Sequence, residues 1–145
     1  MKRLIRAGAA CLLSAVLLPG VARGQNLIWH SDQMIEDNGR GVGAPQVGIS
    51  GLNAVAVWQQ YDESGHWRIY SNYSTDGGAI WHADRLIEDN AGRNASAGPR
   101  IAVSGLNVVA VWAQQDGTNT NPYRVYSNYS TDGGATWHTQ QLIEN

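Results

Sequence analysis

The chain has 145 residues, and its 12 acidic against 10 basic side chains give a formal net charge of −2. After residue 24 the chain keeps all 12 acidic side chains but only 10 − 4 = 6 basic ones and no lysine. That balance argues against nucleic acid or an anionic membrane surface as a partner, because both need a cationic footprint. The single cysteine excludes an intrachain disulfide, while six tryptophans and six tyrosines favour strands over helices.

The first 24 residues have the layout of a secretory signal peptide. A basic start precedes an apolar run over residues 7–18, and Ala22 and Gly24 place small residues before a cleavage site. The run is shorter than the about 20 residues that span a bilayer. Cys11 precedes most of the run, which argues against a lipoprotein anchor. We expect a secreted or periplasmic protein, cleaved near Gly24, with no membrane span.

The rest of the chain contains two copies of one unit, preceded by part of a third. The nonapeptide YSNYSTDGG occurs at residues 70–78 and again at 126–134, an offset of 126 − 70 = 56. A leading outer strand, residues 27–36, matches the last strand of each unit. We therefore divide the chain into a signal peptide, a leading strand with its connection, and two repeat units: residues 1–24, 25–44, 45–90 and 91–145.

Each unit is predicted to contain four short strands and no helix. Their ranges are 45–50, 54–58, 67–73 and 81–88 in the first unit and 99–104, 108–112, 123–129 and 137–144 in the second. The second strand, AVAVW or VVAVW, is apolar on both faces, so both faces must be covered. Four-stranded antiparallel units that repeat about every 50 residues are typical of a β-propeller. The predicted fold is all-β, with two complete blades plus one extra N-terminal strand.

The repeated turn joins the third and fourth strands. Its aspartate can accept backbone N–H groups, its glycines allow positive φ, and its tryptophan can be buried between sheets. The residues in these structural roles are Ser74, Asp76, Gly78 and Trp81, repeated as Ser130, Asp132, Gly134 and Trp137. A calcium ligand or a catalytic acid is the alternative role for Asp76, but recurrence favours architecture. The recurring His30, His82 and His138 are interpreted in the same way, so no metal or cofactor is predicted.

The pattern S-x-D-x-G-x-x-W, present in both units, resembles the Asp-box or BNR repeat of sialidase-like β-propellers. The resemblance covers most of the chain after residue 24. It implies a propeller fold with the site at the end opposite the Asp-boxes. Sialidases of that family use three arginines, a Tyr–Glu nucleophile pair, an aspartic acid and an Arg-Ile-Pro motif. The chain has Arg68-Ile69-Tyr70 and Arg100-Ile101-Ala102 but no Arg-Ile-Pro, so catalytic residues are not assigned.

Length differences between the units fall in the loops between the second and third strands and in the connections between units. Insertions confined to one end of a repeat array indicate a binding face. Arginines there could bind a carboxylate and aromatic rings could stack on sugars, although solvated loops with polar tips are the alternative. The candidate ligand-binding residues are Arg40, Asp62, Trp67, Arg93, Arg100 and Asp116.

Three functions remain open from the sequence. We favour a secreted module that binds glycans or glycoconjugates. A sialidase-like glycoside hydrolase, or a fragment of one, is the second, and a structural repeat of a cell-surface protein is the third.

Two units are fewer than the about 4–8 blades of a closed propeller. The expected explanation is that the chain is a piece of a longer propeller whose additional blades are missing here. A homo-oligomer that closes a ring from several chains is the alternative.

Overall fold

The computed structural model describes residues 31–37, 39–89, 95–115 and 123–144, with the side chains of residues 95–97 left aside. The signal segment, residues 27–30 of the leading strand, His30, Arg93 and Asp116 lie outside these ranges. The described residues form strands and turns without a helix, which confirms the all-β class. Within those ranges, therefore, no helix of the length and apolarity needed to cross a bilayer is found.

The strands form two four-stranded antiparallel sheets in which neighbours along the chain are neighbours in space. Sheet one contains β1 Val42–Ser50, β2 Asn53–Tyr61, β3 Trp67–Ser74 and β4 Arg85–Leu86. Sheet two contains β5 Ala95–Ser104, β6 Asn107–Gln115, β7 Tyr123–Ser130 and β8 Gln141–Leu142. The predicted meander of four strands in each unit is confirmed.

The fourth strands are shorter than the sequence predicts. Strand β4 has two residues where residues 81–88 were expected, and β8 has two where residues 137–144 were expected. The turn explains the difference, because the Ile80 N–H binds the Asp76 carboxylate and the His82 N–H binds the Tyr73 carbonyl. The chain pairs with the third strand as a regular β-strand only beyond this region, from Arg85 onward.

The predicted leading strand is wrong over its described part, residues 31–36, which adopt no strand. The segment is held by side chains instead. Gln33 Nε2 donates to the Ala79 carbonyl at 2.7 Å, and Asn72 Nδ2 donates to the Ile35 carbonyl at 2.9 Å. Among the described residues, no strand of a preceding sheet lies beside this segment. Its backbone therefore has no neighbouring strand with which to form β-sheet hydrogen bonds.

The first strands begin earlier than predicted, at Val42 and Ala95, and both are bulged beside a proline. Register shifts between Gly43 and Gln46 and between Ala97 and Arg100 bracket Pro45 and Pro99, and β5 has a further shift between Ala95 and Ala97. Proline has no N–H to donate, so within sheets it is confined to edges and bulges.

The two sheets stack through opposite faces. We call the side that carries Ala54, Ala56 and Trp58 in sheet one, or Val108, Ala110 and Trp112 in sheet two, the leading face, and the other side the trailing face. Alternation along β2 and β6 fixes this division. Sheet two places its leading face on the trailing face of sheet one, and the shared core contains Val57, Ile69, Ile87, Ala110 and Trp112.

The expectation that both faces of the second strand are covered holds in one sheet only. In β2 every side chain from Ala54 to Trp58 is buried. In β6 Val108, Ala110 and Trp112 are buried, but Val109 on the trailing face is 46% exposed. The prediction is wrong for that face because no further described sheet lies against it.

Candidate functional site

The repeated turn is closed by its own side chains. Ser74 Oγ donates to Asp76 Oδ1 at 2.7 Å and accepts the Gly78 N–H at 2.9 Å. Asp76 Oδ1 also accepts the Ile80 N–H at 2.9 Å. These bonds, led by the one from Ser74, hold the pKa of Asp76 below its usual value. The Asp76 carboxylate is therefore engaged in hydrogen bonds within the turn.

The second copy repeats this geometry and adds one bond. Ser130 Oγ donates to Asp132 Oδ1 at 2.8 Å, and Thr136 donates to the same carboxylate through its N–H at 2.8 Å and its hydroxyl at 2.6 Å. The Thr136 side chain is the main reason that the pKa of Asp132 falls to about 2. Two equivalent carboxylates with the same partners fit a structural role.

The turns share one end of the sheets with the tight turns between the first and second strands. The Gly77 N–H donates to the Leu52 carbonyl, and the Gly133 N–H donates to the Leu106 carbonyl, both at 2.8 Å. Strand β2 leads away from this end, from Asn53 to Tyr61. The loop between β2 and β3 therefore lies at the opposite end, as the sequence predicts.

The tryptophan and histidine of each turn also pack within the fold. Trp137 is half-buried against the core that the two sheets share, and Trp81 is half-buried. His82 stacks on Tyr73 with ring centroids 4.2 Å apart, and His138 stacks on Tyr129 at 4.0 Å. Across the described ranges, no cluster of three or more His, Cys, Asp or Glu side chains is arranged to hold a metal ion.

An open depression of about 630 Å³ lies at the end opposite the turns. The connection before β1 forms one wall and the β2–β3 loop forms the other. Its lining residues are Arg40, Gly41, Tyr61, Asp62, Glu63, Ser64 and Gly65. Arg40 reaches across, with its Nη1 atom 3.5 Å from the Asp62 carbonyl.

An aromatic pair forms the base of this loop. The rings of Tyr61 and Trp67 stack with centroids 3.9 Å apart and planes inclined by 28°. The Tyr61 N–H donates to the Gly41 carbonyl at 3.1 Å. A Cβ at position 41 would lie 3.1 Å from Tyr61 Cδ2, so glycine allows the chain to pass close to the ring.

Asp62 organises the loop through both carboxylate oxygens. Its Oδ1 accepts the backbone N–H groups of Ser64 at 2.8 Å and His66 at 2.9 Å. Its Oδ2 lies 3.2 Å from Arg68 Nη1, and Arg68 Nε binds the fully buried carboxylate of Glu88. Burial works to raise the pKa of Asp62, but the His66 N–H and the Arg68 guanidinium outweigh it and lower the pKa. Asp62 is therefore an ionised acceptor at neutral pH.

The predicted ligand-binding residues fall into three groups. Arg40 and Asp62 line the depression, and Trp67 stacks on Tyr61, which also lines it. Arg93 and Asp116 lie outside the described residues. Arg100 is exposed on β5, where its Nη1 donates to the Pro99 carbonyl at 3.1 Å, and it does not line the depression.

Tyr61 and Glu63, which adjoin the candidate Asp62 in the loop that the sequence predicts to bind, also line the depression. The residues that flank this loop differ between the two units. Tyr61 and Trp67 correspond to Gln115 and Tyr123, which approach each other at 3.4 Å through the Gln115 amide and the Tyr123 hydroxyl. An aromatic pair in one unit has become a polar pair in the other.

A second cluster missed from the sequence lies beside the leading segment. Burial and the neighbouring charge of Asp37 raise the pKa of Asp84 to about 6. The signal was present, since Asp84 stands where the second unit has Gln140.

No family model matches the chain, and a search of curated proteins finds no significant relative.

Proposed function

We propose that the protein is a secreted β-propeller module of the Asp-box type that binds glycans at the depression between Arg40 and the β2–β3 loop. In this proposal the two sheets are neighbouring blades. Their identical strand order and face-to-face stacking support that arrangement, as do the equivalent turns at one end. The signal-like segment at residues 1–24 supports export.

The observation that carries the binding proposal is the stacked pair of Tyr61 and Trp67 beside charged groups at an open depression. A pyranose ring presents C–H groups on one face and hydroxyls around its rim. An aromatic ring can cover the C–H face, while the carboxyl oxygens of Asp62 and Glu63 accept hydroxyl hydrogens and the guanidinium of Arg40 donates to oxygens. A concave site with few convergent polar groups is the usual form of a small-ligand pocket.

Binding is favoured over sialoside hydrolysis by the placement of the arginines. The resemblance implies three arginines around a substrate carboxylate in a sialidase. Of the described arginines, Arg40 alone lines the depression, while Arg100 lies on β5 and Arg68 binds Asp62 and Glu88.

The test is a glycan array probed with the exported protein, followed by calorimetry on the best ligand. Replacing Tyr61 by Ala should weaken binding roughly tenfold, because loss of an aromatic contact of about 1–1.5 kcal/mol corresponds to that factor. The matched control is Tyr123→Ala, which removes the exposed aromatic residue at the same end of sheet two. The absence of any bound sugar, or equal affinities for the Tyr61→Ala and Tyr123→Ala variants, would contradict the proposal.

A further inference from the structure

The side chains that line the depression carry more negative than positive formal charge. Asp62 and Glu63 are acidic and Arg40 is basic, so the balance of the lining is −2 + 1 = −1. Glu63 and Arg40 are exposed, and the side chain of Asp62 is 18% exposed. A ligand in the depression therefore meets two acidic groups for one guanidinium.

The basic group behind the loop does not reverse this balance. Arg68 Nη1 lies 3.2 Å from Asp62 Oδ2, and Arg68 Nε binds the carboxyl group of Glu88. The side chain of Arg68 is 11% exposed and that of Glu88 is fully buried, so these two groups are paired beneath the surface. The charge that a ligand meets is therefore the balance of Arg40, Asp62 and Glu63.

The other wall of the depression also has an acidic side chain close to it. Glu36 Oε2 accepts the Gly39 N–H at 2.8 Å and the Gln60 side-chain amide at 2.9 Å. Gly39 precedes Arg40, and Gln60 is fully buried on β2, so these bonds hold the connection before β1 against β2. An acidic group is therefore fixed near each wall.

The β2–β3 loop is held in one conformation by its own hydrogen bonds. The Asp62 N–H donates to the His66 carbonyl at 2.9 Å, and the Gly65 N–H donates to the Asp62 carbonyl at 3.1 Å. Asp62 Oδ1 accepts two further backbone N–H groups, from Ser64 and His66. Moving this backbone away from a ligand would break these bonds, so the positions of Asp62 and Glu63 along the loop are set before a ligand arrives.

Glu63 is particular to the unit that forms the depression. The corresponding loop of the second unit, residues 116–122, reads DGTNTNP, so its aspartate is followed by glycine and by no second acidic residue. Residues that the two units share carry the architecture, as in the repeated turn. A charged residue that differs between the units is therefore a candidate for specificity.

We propose that the depression binds a neutral pyranose and excludes sugars that carry a carboxylate or sulfate, with Glu63 setting this preference. The proposal rests on the proposed function and narrows its ligand class. The hydroxyls of a neutral pyranose donate to the acidic side chains and accept from Arg40. An anionic group in the depression lies about 5 Å from a like charge, inside the Debye length of about 8 Å at physiological salt, so the repulsion opposes binding.

The first test is a glycan array on which each neutral glycan stands beside a counterpart whose terminal sugar carries a sulfate or a carboxylate. Apparent affinities come from graded concentrations of the exported protein. In about 0.01 M salt the neutral member should bind at least about fourfold more tightly, the factor for one like charge at about 5 Å in water. In about 1 M salt, where the Debye length is about 3 Å, the ratio should approach one.

The second test assigns the preference to one side chain. Glu63→Gln removes a negative charge at an exposed position and keeps a side chain of similar shape, so it should reduce the ratio about fourfold at low salt. The matched control is Asp32→Asn, which changes the net charge of the chain equally. Asp32 is exposed and adjoins Gln33, which binds the Ala79 carbonyl in the repeated turn at the opposite end. The control should leave the ratio unchanged.

Three outcomes overturn the proposal: an acidic glycan bound as tightly as its neutral counterpart, a preference that persists in about 1 M salt, or equal ratios for Glu63→Gln and Asp32→Asn. A persistent preference would mean that shape and not charge excludes the acidic sugars. Acidic glycans as the preferred ligands would sink this inference and leave glycan binding standing. An array without any bound glycan would sink the proposed function, and this inference with it.

Discussion

Sheet one and sheet two are built from nearly the same sequence, yet they differ in how deeply they are buried. Val55 is fully buried in the first, whereas its counterpart Val109 is nearly half exposed in the second. The two equivalent ion pairs differ in the same direction. The side chains of Arg68 and Glu88 in sheet one are 11% and 0% exposed, whereas those of Arg124 and Glu144 in sheet two are 33% and 38% exposed. The burial of a side chain in a repeat unit therefore depends on whether another sheet packs against its face, and not only on the sequence of its own unit.

The units differ in sequence mainly at the end opposite the turns, and the candidate site lies there. Tyr61 and Trp67 stack in the first unit, where the second unit has Gln115 and Tyr123. Architecture is carried by what the units share, and the proposed binding by what they do not share.

The largest expected effect comes from truncating the same position in the two sheets. Ile69→Ala should lower the free energy of unfolding by about 2–4 kcal/mol, because it opens a cavity in a closed core. Val125→Ala, at the half-exposed counterpart, should lower it by less than about 1 kcal/mol. Urea unfolding at low protein concentration measures both. Equal losses would mean that the trailing face of sheet two is covered as that of sheet one is.

A smaller effect distinguishes the two copies of the repeated turn. Gly77 and Gly133 both have positive φ, so alanine at either position costs about 1–2 kcal/mol in backbone strain. A Cβ at position 133 would also lie 2.6 Å from Asn53 Oδ1, whereas one at position 77 would meet only Leu52 Cδ2 at 3.7 Å. Gly133→Ala should therefore be the more destabilising of the two in thermal unfolding. The reverse order would show that the turn of sheet two does not press on sheet one.

The sequence predicts what depends on periodicity and repetition. Alternation of apolar residues and the duplicated turn were sufficient for the class, the strand order and the end on which the loops lie. They were insufficient for β4, because the hydrogen bonds of the turn extend to Ile80 and His82 and delay pairing until Arg85. The sequence pattern also failed to predict the exposed trailing face of sheet two, because the periodicity within one unit does not show whether another sheet packs against it. The sequence places Tyr61 and Trp67 beside the variable loop, but their stacking on each other depends on the pairing of β2 with β3 and was not predicted.

The smallest expected effect is a difference in pH dependence between two carboxyl groups. Asp84 has a raised pKa of about 6, so the folded state holds its proton more tightly than the unfolded state does. Its contribution to stability is complete below the ordinary value of 3.8 and is lost as the pH rises through about 6. Asp84→Asn, which imitates Gln140 of sheet two, should therefore stabilise the protein at pH 7.5 but have little effect at pH 4.

The contribution of Asp132 to stability should depend on pH in the opposite direction. Its pKa is lowered to about 2, so its contribution is present above the ordinary value of 3.8 and is lost as the pH falls towards 2. Asp132→Asn should consequently be destabilising at pH 7.5 and nearly neutral at pH 2. Thermal unfolding of both variants across this pH range measures the two effects. If Asp84→Asn gave the same change at pH 4 and pH 7.5, burial and the charge of Asp37 would not raise the pKa of Asp84 in the folded state.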